Sequence, residues 1–271
     1  MQAGQQEQYV SEAFSRQSPV FDAIDDANKT IGWMRERVRA EVLQHIQPGT
    51  SMLELNCGTG IDAIYFAQKG FRVLATDNAQ GMLQELGKKR DALGLHNKLQ
   101  TQRCSFNELE QLFGNKFDYI FSNFGGLNCS PDLGKILRDI DQLLNPGGYF
   151  SFVIMPVVCP WEMLMLFKGY FKTAFRRFGK NGTSAHLEGV HFQCYYYDPS
   201  YVVKHTPSAY KLISLKGLSI TVPPPFIEGF MDKHPKLFSK LERIENKVWT
   251  KAPYNRWCDH YIITMQKPLH G

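Results

Sequence analysis

Residues 51–77 have the sequence SMLELNCGTGIDAIYFAQKGFRVLATD, and this stretch decides the fold. The apolar run 51–56 predicts a short strand, 61–70 predicts a helix that closes on a glycine, and 71–77 predicts a second strand. Buried strands that alternate with helices are typical of a parallel sheet. The stretch therefore predicts a strand–turn–helix–strand unit.

The turn of this unit has the residues that a nucleotide-like ligand needs. Gly58 and Gly60 let the backbone approach a ligand at a point where a Cβ atom would collide with it. The helix that follows offers free N–H groups and the positive end of its dipole. Asp77 ends the second strand, where its carboxylate can accept both hydroxyls of a ribose. We therefore expect an adenosyl ligand across the strand tips.

The same alternation continues along the chain and then stops. Further strands are predicted at 99–105, 117–123, 149–155, 210–223 and 259–267. The fold class is thus α/β, a mostly parallel seven-stranded sheet with helices on both faces and an antiparallel C-terminal strand. We expect one domain, 1–271, built from an N-terminal helical arm (1–47), a cofactor-binding core (48–155), an inserted cap (156–200) and the C-terminal part of the sheet (201–271).

Composition restricts the function class. The 271 residues are 43% hydrophobic and 21% charged, with a net charge of +5, as in an ordinary globular protein. The basic residues are mostly spread along the chain, which does not favour a nucleic-acid partner. The six cysteines form no C-x-x-C pair, so no metal site is expected and reduced thiols in a cytoplasmic protein are predicted. Nothing in the sequence defines an oligomeric state.

Two ligand classes fit the glycine turn. Gly58-x-Gly60-x-x-Ala63 matches the dinucleotide fingerprint, so an NAD-dependent oxidoreductase is one alternative. Two features count against it: some fifty residues precede the first strand, and Glu54 lies within that strand. After residue 100 we find no second nucleotide-binding half.

Four motifs, in order, resemble those of class I S-adenosylmethionine-dependent methyltransferases. They are MLELNCGTG (52–60), VLATDNAQGML (73–83), FDYIFSNFGGLN (117–128) and LLNPGGYFSF (143–152). The resemblance covers roughly residues 20–155 and 190–267. It implies a Rossmann-like fold, S-adenosylmethionine as cofactor and a set of cofactor-binding residues: Glu54, Asn56, Cys57, Gly58, Thr59, Gly60, Asp77, Asn78, Met82, Ser105, Phe106, Asn123 and Phe124.

Two positions depart from the family pattern. Asn56 stands where the first glycine usually lies, and Asn tolerates left-handed backbone conformations better than most residues. Its side chain is expected to narrow the pocket or to hydrogen-bond the cofactor. Cys104 and Ser105 stand where an acidic residue usually lies near the adenine, so backbone groups and Ser105 would have to serve.

The acceptor side is predicted from the cap. Residues 161–180 place Lys168, Lys172, Arg176 and Lys180 at i, i+4 spacing among aromatic residues, which predicts a basic amphipathic helix. Such a helix can cover a lipophilic acceptor or contact an anionic membrane surface. The candidate acceptor-binding residues are Asn128, Trp161, Phe167, Phe171 and Tyr195. His186 and His191 are candidate general bases, whereas His260 is expected to be structural.

The N-terminal arm, with Tyr9, Phe14 and Phe21, is a candidate cover for the cofactor, and disorder is the alternative for its first eight residues. The predicted function is methyl transfer from S-adenosylmethionine to a small lipophilic or aromatic acceptor. The alternatives are the NAD-dependent oxidoreductase and a catalytically silent S-adenosylmethionine-binding protein. Methylation of a nucleic-acid base ranks low, because no N-P-P-Y-like tetrad follows the fourth strand.

Overall fold

A computed structural model describes residues 3–179 and 181–269. The chain opens with two helices, α1 (Ala3–Ala27) and α2 (Lys29–Val42). Asn28 separates them and caps α2, because its side chain accepts hydrogen bonds from Thr30 and Ile31 N–H. From Ala3 onward the first residues of the chain belong to α1, so the helical arm describes them and the alternative of disorder does not.

The core follows the predicted alternation. Its elements are β1 (Ser51–Leu55), α3 (Ile61–Gln68), β2 (Arg72–Asp77), α4 (Gln80–Ala92), β3 (Leu99–Arg103), β4 (Phe117–Ser122), α5 (Leu133–Leu143) and β5 (Leu144–Ile154). Short 3₁₀ turns cover Leu109–Leu112 and Gly126–Cys129. β5 begins before the predicted Tyr149, because Leu144 already pairs with Phe117 ahead of an irregularity in the ladder.

The second half holds the cap and the end of the sheet. Its elements are α6 (Pro160–Met163), α7 (Phe171–Phe175), β6 (Thr183–Leu187), β7 (Val190–Cys194), α8 (Pro199–His205), β8 (Lys211–Leu218), α9 (Phe230–Lys233), α10 (Pro235–Val248) and β9 (His260–Gln266). Additional 3₁₀ turns cover Leu164–Lys168 and Arg176–Phe178. β6 and β7 form a separate antiparallel hairpin.

The main sheet has the strand order β3-β2-β1-β4-β5-β9-β8. β1 to β5 are parallel, and β9 is antiparallel to both of its neighbours. The predicted fold class is confirmed. Because the carboxyl ends of parallel strands meet at one edge, the loops after β1, β2, β3 and β4 are adjacent, as ligand binding at such an edge requires.

Helices cover both faces of the sheet. α5 presents an apolar stripe at helical spacing, namely Leu133, Ile136, Leu137, Ile140 and Leu143, all buried. Burying a side chain of this size is worth about 1.5–3 kcal/mol, so this stripe alone fixes α5 against the sheet. On the other face, Met34, Val38 and Val42 of α2 pack with Phe66 of α3.

The basic amphipathic helix predicted for residues 161–180 does not form. Gly169 has a φ of +79° and ends the turn Leu164–Lys168, so the segment is a series of short helical turns. Lys168, Lys172 and Arg176 therefore do not share one stripe on a single helix. Lys180, the fourth residue of the predicted stripe, lies outside the described residues. Within the described part of the chain, no helix has the length and apolarity needed to cross a membrane.

Candidate functional site

A cavity lies at the carboxyl edge of the sheet, beneath α1. It encloses about 800 Å³ of empty space including its open mouth, within the range that holds small ligands. Nine of the predicted cofactor-binding residues line it: Asn56, Gly58, Asp77, Asn78, Met82, Ser105, Phe106, Asn123 and Phe124. The structure thus brings together residues from four separate loops.

The turn after β1 has the left-handed backbone conformations that its asparagine and its glycines allow. Asn56, Gly58 and Gly60 all have positive φ, of 46°, 56° and 81°. The Asn56 side chain is held by the tip of β4: it accepts a hydrogen bond from Ser122 Oγ at 2.6 Å and donates to Asn123 O at 3.2 Å. A Cβ on Gly126 would lie 2.3 Å from Asn56 Nδ2. Asn56 is therefore fixed in place rather than loose in the pocket.

Asp77 joins β2 to the glycine turn. Its carboxylate accepts the N–H of Gly58 at 2.9 Å and the N–H of Ala79 at 2.8 Å. Burial raises the pKa of Asp77, and these backbone hydrogen bonds partly offset the rise. The carboxylate also lines the cavity, so it keeps lone pairs for a ligand hydroxyl.

Four predicted cofactor residues do not line the cavity. Gly60 packs on α4, since a Cβ there would lie 2.1 Å from Leu86. The buried hydroxyl of Thr59 donates to Asp22 of α1, and Cys57 is buried behind the turn. Glu54 is buried within β1. The glycine turn thus has one side toward the cavity and one toward the packing helices.

Glu54 is unusual because its Oε2 atom is buried with no hydrogen-bond partner among the described residues. Burial, and then the negative charge of Asp62, raise the pKa of Glu54 well above its usual value, although Arg35 and Arg39 act in the opposite direction. A buried acceptor without a partner is costly. The site therefore holds a carboxyl whose charge a positively charged ligand would stabilise.

A charged network that the motifs did not reveal supports this edge. Asp62, in the first turn of α3, accepts hydrogen bonds from Arg35 and from Arg39 Nε, the second at 2.8 Å. Asn123 Nδ2 also donates to Asp62, at 2.8 Å. The Arg35 guanidinium lies 4.7 Å from the centre of the Phe124 ring. α2 thereby holds the loop after β4, where Phe124 has a φ of +48°.

Helix α1 forms the roof of the cavity. Glu7, Val10, Ser11, Phe14 and Phe21 lie at helical spacing on its inner face and all line the cavity. Ser11 Oγ donates to Asn78 O at 3.0 Å, and Gln6 exchanges two hydrogen bonds with the backbone of Gln193. α1 thus bridges the start of α4 and the β6–β7 hairpin. Of the three aromatic residues proposed as a cover, Phe14 and Phe21 line the cavity, whereas Tyr9 packs beside it.

Several lining residues were missed by the motifs, which describe strand tips and not a distant helix. Besides those of α1, they are Ala79, Cys104, Asn107, Gly126 and Cys129. The i, i+3 and i+4 spacing of residues 7, 10, 11, 14 and 21 was the signal that could have found the α1 face. Glu7 stands out among them: Glu7 Oε1 is buried with no hydrogen-bond partner among the described residues.

The candidate acceptor residues lie elsewhere. Phe167 and Phe171 are 88% and 65% exposed, and Trp161 Nε1 donates to Ile220 O at 3.0 Å. Asn128 is buried and ties Met155 to Tyr195 through their backbones. None of these five side chains lines the cavity beneath α1, because the cap breaks into turns and does not fold over it as one helix.

The two candidate bases of the cap lie on the hairpin. His186 on β6 faces His191 on β7, with ring centres 4.5 Å apart, and both are exposed. Neither histidine lines the cavity. The hairpin therefore positions them away from the strand tips.

A different histidine lies close to those tips. His260 begins β9, and its Nδ1 is 2.9 Å from Asp259 Oδ2. Its ring lies edge-on to Phe124, and a Cβ on Gly125 would lie 3.3 Å from its Nε2. Burial opposes ionisation of Asp259, but His260 and then Arg177 hold the pKa of that carboxyl below its usual range. The pair thus has Nε2 on the side of the loop after β4, behind the residues that line the cavity, since His260 is buried and does not itself line it.

Asp259 also belongs to a buried ionic cluster at the base of the cap. Arg177 donates to Asp259 Oδ1 and to Glu162 Oε1, both at 2.7 Å, and Arg176 donates to Glu162 as well. Cys159, Glu162 and Asp259 are close enough to suggest a metal site. Because the two carboxylates already accept hydrogen bonds from arginines, the cluster is better explained as a salt-bridge network.

Comparison with known proteins agrees with this geometry. A family model for a methyltransferase domain matches residues 52–148. A demethylmenaquinone methyltransferase from Listeria welshimeri is 28% identical over 183 residues, which cover 64% of this chain and 74% of that relative. The matched region contains the glycine turn and Asp77. The comparison therefore favours methyltransferases over nicotinamide-dependent dehydrogenases.

Solved structures share the fold at low sequence identity. The Burkholderia thailandensis 1,6-didemethyltoxoflavin-N1-methyltransferase, with bound 1,6-didemethyltoxoflavin and S-adenosylhomocysteine, has a TM-score of 0.60 at 14% identity and covers 99% of this chain and 91% of its own. The [4+2]-cyclase SpnF has a TM-score of 0.63 at 14% identity, with coverage of 97% and 96%. A cyclase shares this fold, so the fold alone does not assign the reaction.

Proposed function

Because this chain is a class I S-adenosylmethionine-dependent methyltransferase, we propose that it methylates a small lipophilic aromatic acceptor that binds beneath α1. The observation that carries the proposal is the residue composition of the cavity wall. Only Glu7 and Asp77 among its lining residues are acidic and none is basic, while Val10, Phe14, Phe21, Phe106 and Phe124 supply an apolar surface. Such a wall favours an aromatic acceptor over a charged one.

The cavity fits the cofactor. The positive φ at Gly58 leaves room where a side chain would project, and Asp77 offers a carboxylate at the tip of β2. Asp77 would hold the ribose hydroxyls, while Asn78 and Met82 on one side and Ser105 and Phe106 on the other would enclose the adenine. Asn56 and Asn123 would border the methionine portion, and Glu54 would favour its cationic end from within β1.

Glu7 supplies the acidic side chain that the loop after β3 lacks. That loop has Cys104 and Ser105 where an acidic residue was expected, but Glu7 of α1 reaches the cavity beside Asn107. Burial and the nearby charge of Glu108 raise the pKa of Glu7. We propose that Glu7 Oε1 accepts a hydrogen bond from the adenine amino group. Binding calorimetry with S-adenosylhomocysteine and its inosine analogue tests this, since Glu7→Gln should reduce the preference for the amino form.

When bound, S-adenosylmethionine supplies an activated methyl group on a positively charged sulfur. The protein's part is alignment and exclusion of water. The Asp62 network holds Asn123 and Phe124 in one arrangement, and α1 covers the cavity from above. These residues would keep an acceptor in line with the methyl group without chemistry of their own.

An acceptor that must lose an O–H or C–H proton needs a base. His260 is the base we propose, in place of the two exposed histidines of the hairpin. Asp259 accepts the Nδ1–H, which leaves the Nε2 lone pair free on the side of Gly125 and Phe124. The Asp259–His260 pair would thus orient the ring toward that loop.

The acceptor class is tested by turnover. Wild-type protein is incubated with S-adenosylmethionine and a panel that contains alkylphenols, reduced naphthoquinones, a polar catechol and a primary amine, and S-adenosylhomocysteine formation is measured. Reduced naphthoquinones enter the panel because the Listeria relative is named for demethylmenaquinone. We expect the lipophilic phenols or quinols to be methylated and Phe14→Ser to raise their KM. Methylation of only the polar members would overturn the proposal.

A further inference from the structure

The cap carries an exposed aromatic surface that the proposed reaction does not use. We define it as residues 164–178 and call it the aromatic turn. Six large apolar side chains are exposed there: Leu164 49%, Phe167 88%, Tyr170 61%, Phe171 65%, Phe175 51% and Phe178 47%. Scattered exposed apolar residues need no explanation, but so many in one short segment indicate a contact surface.

The charge of the aromatic turn has one sign. Residues 163–178 contain no acidic residue. Lys168 and Lys172 are exposed between the phenylalanines, and neither pairs with an acid in the described part of the chain. Arg176 and Arg177 pair with the buried Glu162. The exposed surface is thus apolar and positively charged, which matches an anionic lipid surface.

The base of the aromatic turn is anchored. Arg177 is 3% exposed and donates to the Asp259 and Pro156 carbonyl oxygens at 2.9 and 3.3 Å. Asp259 immediately precedes β9, at the carboxyl edge of the sheet. The aromatic turn therefore projects from a fixed base on the same edge that holds the cavity.

We infer that the aromatic turn docks this protein on an anionic lipid bilayer, with its phenylalanines at headgroup depth and its two lysines against lipid phosphates. Apolar side chains next to lysines bind such interfaces through buried area and electrostatic attraction together. Docking is a property of the surface, so it does not depend on the proposed methyl transfer. It would bring the cavity near acceptors that dissolve in the membrane.

Vesicle co-sedimentation tests the inference on the full chain, without cofactor or acceptor. We expect binding to phosphatidylcholine vesicles that contain phosphatidylglycerol, weaker binding to pure phosphatidylcholine, and loss of binding as salt is raised. Phe167→Ser/Phe171→Ser should weaken the binding at least about tenfold. Lys168→Gln/Lys172→Gln should weaken it roughly fivefold for each lysine.

Matched controls lie at the opposite edge of the sheet. Phe113 is 46% exposed just before β4, so Phe113→Ser removes a comparable exposed ring. Lys69 and Lys98 are exposed near the amino ends of β2 and β3, so Lys69→Gln/Lys98→Gln removes the same charge. Both controls should bind vesicles as the wild type does, and all variants should keep S-adenosylhomocysteine affinity as proof of folding.

Three outcomes would overturn the inference. The first is no binding of the wild type to anionic vesicles at low salt. The second is an equal loss of binding in the controls. The third is a dimer in analytical ultracentrifugation that Phe167→Ser/Phe171→Ser dissociates while vesicle binding is unchanged, which would assign the aromatic turn to a second copy of the chain.

Discussion

The substitution Asp77→Asn tests two roles of one carboxylate: its support of the glycine turn and its proposed binding of the ribose. Asp77 accepts the N–H of Gly58 at 2.9 Å and the N–H of Ala79 at 2.8 Å. Asparagine keeps one acceptor oxygen and places an amino group against the other N–H. A buried donor without an acceptor costs about 1–3 kcal/mol. Since a protein of this size loses roughly 2–4 °C in Tm per kcal/mol, scanning calorimetry should show a fall of several degrees.

The effect on cofactor binding is separate. A hydrogen bond to a charged acceptor contributes about 1.5–3 kcal/mol, which corresponds to a Kd about 10- to 150-fold higher. Isothermal titration with S-adenosylhomocysteine measures this loss. Titration with the 2′-deoxy analogue completes a double-mutant cycle: removal of the hydroxyl should weaken binding to the wild type and have little further effect on Asp77→Asn.

The control is Asp118→Asn. Asp118 lies near the amino end of β4, at the edge of the sheet opposite the cavity. Its carboxylate accepts hydrogen bonds from the Ser51 N–H at 2.9 Å and from Asn145 Nδ2 at 2.8 Å, so it also ties neighbouring segments together. Its substitution should lower Tm while the Kd for S-adenosylhomocysteine stays unchanged. The reasoning is refuted if Asp77→Asn binds as tightly as the wild type, or if the 2′-deoxy analogue is weakened equally in both proteins.

Three further variants test other parts of the site. Glu54→Gln should weaken binding of S-adenosylmethionine more than binding of S-adenosylhomocysteine. Because the pKa of Glu54 is raised, wild-type affinity for S-adenosylmethionine should decrease as the pH is lowered and the carboxylate protonates, and titrations at a series of pH values measure this. For the same reason, the ligand-free wild type should lose stability relative to Glu54→Gln as pH rises through that pKa. Gly126→Ala places a Cβ 2.3 Å from Asn56 Nδ2 and should raise the Kd for S-adenosylhomocysteine by about tenfold through displacement of Asn56; unchanged affinity would contradict the fixed position of that side chain. His260→Asn should lower kcat by about 10²–10⁴ while leaving the cofactor Kd unchanged, as measured by S-adenosylhomocysteine formation and by calorimetry.

The strand–turn–helix unit could be predicted from the sequence because the signals for it lie close together in the chain. Residues 51–77 carry their own strand, turn and helix signals, and the positive φ expected at Asn56 is present at 46°. Asp77 was placed at the ligand edge from its position at the end of the second strand, since parallel strands bring their carboxyl ends to one edge. The loop after β4 was placed there by the methyltransferase resemblance. In the cap, the i, i+4 spacing of basic residues gave a wrong prediction of one amphipathic helix, because Gly169 interrupts that segment.

By itself, the sequence determined the α/β class, the glycine turn, the position of Asp77 at the end of the second strand and the methyltransferase resemblance, because each depends on residues close together in the chain. Only the tertiary structure decided that α1 roofs the cavity, that Glu7 faces it, and that β9 lies between β5 and β8, where His260 packs against Phe124. These are long-range contacts, such as Gln6 with Gln193. They arise from the packing of whole elements, which no local pattern of residues specifies.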